Sequence, residues 1–93
     1  MDRIITDQEK EKIINFGALY YDNENMSIIL GWPQKEIDSL MKDEKSEYKQ
    51  LYKKGSSVAS YLLNVKIFEM AKSGDLKAFE AYSARLRKLG KSI

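Results

Sequence analysis

Apolar residues along this 93-residue chain recur mostly at three- and four-residue steps, the spacing of helices with one buried face. A first helix is expected from about Asp7 to Tyr21, with Ile13, Phe16 or Gly17, and Tyr20 facing inward. Thr6 precedes it with Glu9 three residues on, the arrangement of a capping box. The run Asp22-Asn23-Glu24-Asn25 reads as a turn whose side-chain oxygens can cap a short helix from about Glu24 to Leu30. Gly31 suits the left-handed residue that ends a helix, and Pro33 suits the start of the next, which runs to about Lys42 with Ile37, Leu40 and Met41 inward. Trp32 lies in the turn, where it would cover the edge of the core.

The longest element is expected from about Lys45 to Ser73, with Tyr48, Leu51, Tyr52, Gly55, Val58, Ala59, Leu62 and Leu63 as its stripe. Gly55-Ser56-Ser57 lowers helix propensity there and signals either a break or a close helix crossing. In Ser73-Gly74-Asp75, Gly74 can close one helix and Asp75 can cap the next, from Leu76 to about Leu89, apolar at Leu76, Phe79, Tyr82, Leu86 and Leu89. Gly90 would end it. So short a connection makes the two helices antiparallel neighbours. The expected fold is all-α: one domain over residues 1–93, with a helix-turn-helix part over about 1–43 and an antiparallel hairpin built on the long helix over about 44–93.

Composition removes most chemistry from this frame. The chain contains no cysteine and no histidine. That leaves no disulfide, no thiolate, no His-based general base and none of the usual zinc ligands. No carboxylate pair has catalytic or metal-binding spacing, and Glu44 and Glu47 are expected only to complement the start of the long helix. We therefore expect a protein that is not an enzyme and holds no metal or cofactor. No apolar run approaches the roughly 18 residues of a membrane span, and the N-terminus lacks a signal peptide's apolar segment, so the expected setting is the cytoplasm, away from membranes.

Charge matters through its distribution. Sixteen basic and fourteen acidic residues leave a net +2. From Asp22 to Asp38 one lysine faces four acids, whereas Lys77 to Ile93 carries five basic residues against Glu80 alone. Arg85, Arg87, Lys88 and Lys91 form a basic end that either grips phosphates or is a solvated helix terminus.

The segment from Met26 to Leu40 carries the functional reading. Ser27 precedes Gly31 by four positions, and Ile37 and Leu40 follow it by six and nine. A small residue lets two helices cross closely, glycine makes the turn, and the later pair packs the second helix on the first, as in a helix-turn-helix. The second helix would then project Gln34, Lys35, Ser39 and Lys42 toward a DNA groove. Glu36 and Asp38 oppose this, because on a reading face they would repel phosphates. Tyr48 and Tyr52, beside Lys53 and Lys54, could stack on bases, but an aromatic pair at this spacing is expected in the core. Val65, Ile67, Phe68, Met70 and Ala71 are apolar on more than one helix face, more than a lone monomer's surface suits.

In the order of SIILGWPQKEIDSLMK, YKQLYKKG and MAKSGDLKAFEAYSARLRK, over about residues 24 to 89, the chain resembles the small terminase subunits of tailed bacteriophages. The resemblance implies double-stranded DNA at Gln34, Lys35, Ser39 and Lys42. It implies self-assembly into a ring, with Val65 to Ala71 (Phe68 among them), Phe79 and Tyr82 between subunits, and contact with a large terminase subunit in the cytoplasm of an infected host. Two other readings stay open: an interaction or structural subunit whose helix-turn-helix does not bind DNA, and a small dimeric transcription regulator.

Overall fold

The computed structural model describes residues 3–88. They form five α-helices and no strand: α1 (Asp7–Leu19), α2 (Asn23–Leu30), α3 (Gln34–Lys42), α4 (Glu47–Lys72) and α5 (Leu76–Lys88). The protein is all-helical over these residues. Their packing divides into two compact units, one up to Ala59 and one from Ser60.

Local chemistry explains the helix ends in the first unit. The Glu9 N–H donates to Thr6 Oγ1 at 3.1 Å and the Thr6 N–H donates to Glu9 Oε1 at 3.0 Å, closing the capping box before α1. Asp22 caps α2 by accepting from the Asn25 N–H at 2.8 Å. Helix α1 stops short of Tyr21. The Tyr20 N–H donates to the Gly17 carbonyl and the Tyr21 N–H to the Phe16 carbonyl, a Schellman closure that puts Tyr20 in the left-handed region at φ 56°. Tyr20 therefore points outward, 66% exposed, instead of joining the inward stripe.

Gly31 ends α2 at φ 72°, its N–H and that of Trp32 both donating to the Ser27 carbonyl. The Ser27 hydroxyl adds a 2.5 Å bond to the Trp32 carbonyl, so this small residue ties the turn from both of its polar groups. Pro33 lies just before α3 instead of inside it, and its carbonyl accepts from the Glu36 and Ile37 N–H groups. Helix α4 begins two residues later than expected because Ser46 caps it, accepting from the Lys49 N–H at 3.0 Å and donating to the Leu40 carbonyl at 2.6 Å.

The core of this unit gathers Ile5, Ile13, Phe16, Met26, Trp32, Ile37 and Tyr48, flanked by the half-buried Leu30, Leu40, Met41, Leu51 and Tyr52. Tyr48 is wholly buried; its hydroxyl meets Met26 Sδ at 3.1 Å, and burial pushes its phenol far above the ordinary range. The Tyr52 hydroxyl donates to the Tyr21 carbonyl at 3.1 Å. Both tyrosines thus serve packing. Helix α4 runs without interruption through Gly55-Ser56-Ser57, so the glycine marks a crossing and not a break. A Cβ on Gly55 would collide with the Ile14 carbonyl of α1, and one on Gly17 with the Tyr52 carbonyl of α4. Two glycines, each set against the backbone of the opposite helix, are what let α1 and α4 approach this closely.

In the second unit, Phe68 and Tyr82 pack with ring centroids 5.4 Å apart, and Asn64 accepts from Arg85. Gly74 turns the chain at φ 96°, and Asp75 caps α5 by accepting from the Ala78 N–H at 3.0 Å. The expected apolar stripes shift here. Val58 (in the first unit), Leu62, Leu63, Leu76 and Phe79 are exposed, while the buried positions on α5 are the small residues Ala78 and Ser83, with Tyr82 and Leu86 half-buried. Side chains this small let α5 sit close, which leaves the larger neighbours outside the contact. Leu89, Gly90 and Lys91 lie outside the described residues.

Candidate nucleic-acid interface

Helix α3 owes its position to Ile37, wholly buried, with Leu40 and Met41 half-buried beside it. At about 100° per residue, Lys35, Ser39 and Lys42 then fall within about 60° of one another on the side away from Ile37. All three are exposed, as is Gln34 at the first turn. The structure thus brings Lys35, Ser39 and Lys42 onto one outward stripe, with Gln34 at its N-terminal edge.

The two acidic residues of α3 flank that stripe, and each is held by a neighbour. Arg3 grips Glu36 through one edge of its guanidinium, Nε to Oε2 at 2.6 Å and Nη2 to Oε1 at 2.7 Å, and its Cζ lies 4.2 Å from the centre of the Trp32 ring. The bidentate hydrogen bond, reinforced by the guanidinium charge, holds the Glu36 carboxyl below the usual carboxylate range. On the other flank Asp38 Oδ1 accepts from Asn23 Nδ2 at 2.9 Å. Glu36 is therefore neutralised within the protein and Asp38 is turned toward α2. The objection that acidic residues would repel phosphates is correspondingly weaker.

Two other lysines of this unit are ion-paired, whereas among the described residues Lys12, Lys45, Lys49 and Lys54 are not. Lys10 lies 3.4 Å from Glu47 and Lys53 lies 3.1 Å from Glu44. Among the described residues Lys35 and Lys42 have no such partner. Beside α3, a groove of about 590 Å³ is lined by Arg3 and Lys45 but also by Glu36, Asp43 and Glu47, a mixed set that does not select an anion. Trp32 is buried, its ring 5.8 Å from that of Tyr48 and its Nε1–H donating to Glu9 Oε2 at 3.3 Å. It is a core residue, as its place in the turn suggests. The Glu9 carboxyl, bonded chiefly by the Thr6 N–H, is also held low.

No family model, curated protein or solved structure matches this chain.

The residues expected between subunits are divided in their surroundings. Val65, Ala71 and Tyr82 are half-buried and Phe68 and Phe79 remain exposed, while the Phe68 and Tyr82 rings already pack against each other within the chain. Among the described residues no three metal-ligating side chains come together, and no helix is long and apolar enough to cross a membrane. Sequence reasoning missed Arg3 and Ile5. Ile5 had a signal, an apolar residue directly before an N-cap. Arg3 had none, since its partners Glu36 and Trp32 are brought to it only by folding.

Proposed function

We propose that this chain is a DNA-binding adaptor that assembles with copies of itself and performs no chemistry. Helices α2 and α3 with the Gly31 turn act as a helix-turn-helix, and α3 is laid against duplex DNA through Lys35, Ser39 and Lys42, with Gln34 at the base edges. The observation that carries this reading is the state of the α3 charges: its carboxylates are held by Arg3 and Asn23, while both lysines stand outward. The Phe68–Tyr82 and Asn64–Arg85 contacts support an α4–α5 antiparallel hairpin whose exposed Phe68 and Phe79 would pack against further copies. In line with the resemblance to small terminase subunits, such an adaptor would act in viral genome packaging, in the host cytoplasm, as a ring that hands DNA to a large terminase subunit.

A second reading has its own support. Ile28 and Ile29 on α2 are 69% and 46% exposed, which suits a protein partner beside α3 better than a phosphate backbone.

The test is the salt dependence of duplex binding by wild type and by Lys35→Glu combined with Lys42→Glu. Each phosphate contact adds about 0.9 to the slope of log K against log salt, so the double variant is expected to flatten it by about 1.8. An unchanged slope would remove α3 from the interface.

A further inference from the structure

We infer that a groove between α4 and α5, lined by Ser60, Asn64, Ala84, Arg85 and Lys88, is a phosphodiester site that gives the chain a second, sequence-independent grip on DNA. The groove measures about 250 Å³ and lies wholly within the unit that begins at Ser60. Among the described residues that line it, two are cations one turn apart on α5 and none is a carboxylate. Glu80, the lone acid of α5, is not among them.

The hydrogen-bonding arrangement selects the ligand's sign. An arginine has donors only, so Asn64 must present Oδ1 to the Arg85 Nε–H, as the structure places it. With its acceptor bonded to Arg85, the Asn64 amide has its two N–H donors left to offer a ligand in the groove. Arg85 keeps four of its five N–H donors, Lys88 adds three, and Ser60 adds a hydroxyl that can donate. Such a set suits an anion with several oxygens and repels a cation. Ala84 lines the groove without adding a competing polar group.

The absence of an aromatic residue among the described lining residues decides which part of a nucleic acid fits. No ring is offered for base stacking and no paired donor and acceptor for a base edge, so the contact is to the backbone phosphate and fixes position without reading sequence. Of the two readings of the basic end, phosphate binding is the one this groove supports.

That the phosphate belongs to DNA rests on the function proposed above, and the experiment separates the two claims. Binding of random-sequence duplex is measured against salt for wild type, for Arg85→Ala with Lys88→Ala, and for Lys35→Ala with Lys42→Ala, with helicity checked by circular dichroism. The Arg85/Lys88 variant is expected to lose about 1.8 from the slope, equally on unrelated sequences. Lys88 is exposed, so Lys88→Ala alone, losing about 0.9, serves if the double variant does not fold. Titration with inorganic phosphate should shift the Asn64 side-chain amide resonances in wild type and not in the Arg85/Lys88 variant. A wild-type slope in the Arg85/Lys88 and Lys88 variants, or no shift of the wild-type Asn64 amide with phosphate, overturns the site, whereas a wild type that shows the shift but binds no duplex overturns DNA as its ligand and the function proposed above. A wild-type slope in the Lys35/Lys42 variant alone overturns the role of α3 and leaves this site standing.

Discussion

Replacing Gly55 by alanine tests the α1–α4 crossing, because intrinsic propensity and packing predict opposite signs. In a helix interior alanine is favoured over glycine by about 1 kcal/mol, so a Gly55 that only interrupted α4 would make Gly55→Ala stabilising. In the structure the new methyl would run into the Ile14 carbonyl and lie 3.0 Å from the Ala18 N, both backbone atoms that cannot rotate aside. Helix α1 must then move off α4, loosening the contacts of the buried Ile13 and Phe16. Overpacking of this kind costs about 1–3 kcal/mol and occasionally more, and with rigid backbone on the other side the upper end applies. After subtracting the propensity gain, a net loss of about 2 kcal/mol is expected, or about 8–16 °C in Tm for a domain of this size. Urea and thermal unfolding followed by circular dichroism measure it. Ser57→Ala, at an exposed site two residues along α4, serves as the propensity control and should change stability by a few tenths of a kcal/mol in the stabilising direction. A Gly55→Ala protein as stable as wild type, or more so, would refute the crossing.

Two further outcomes follow from local geometry. Tyr20 is a non-glycine residue in the left-handed region and largely exposed, so Tyr20→Gly should raise stability by about 0.5–1 kcal/mol in urea unfolding, and a loss would mean that its ring contributes packing. Arg3 lowers the folded-state pKa of Glu36, so that contribution is present above the unfolded value of about 4.3 and disappears as pH falls through the folded value. The Tm difference between wild type and Glu36→Gln should therefore be larger at pH 6 than at pH 2.5, and an equal difference at both would refute the pairing.

What could be read from sequence was what neighbouring residues decide among themselves. Thr6 with Glu9, Asp22 before α2, Gly31 after it and Gly74-Asp75 before α5 all act within one helical turn, and the helix bounds they imply agree with the structure within one or two residues. Ser46, a capping residue directly before the acidic Glu47, was equally local and could have been found. The Arg3–Glu36 pair and the facing of Gly17 and Gly55 were not legible, because each joins residues more than thirty positions apart. Periodicity also failed on the second half of α4 and on α5, where Ala78 and Ser83 are buried in place of the larger Leu76 and Phe79. Period identifies a helix, whereas the face it buries depends on which side chains are small enough for close approach. At the candidate interface, the exposed set of α3 was legible from spacing, and the holding of its acids was not.

The adaptor account is tested most directly by the mass of the protein in solution, by light scattering, with and without duplex DNA. It predicts a particle of several 10.8 kDa chains that takes up DNA at low salt and releases it as salt rises. A single 10.8 kDa species whose mass does not change when DNA is added would contradict it.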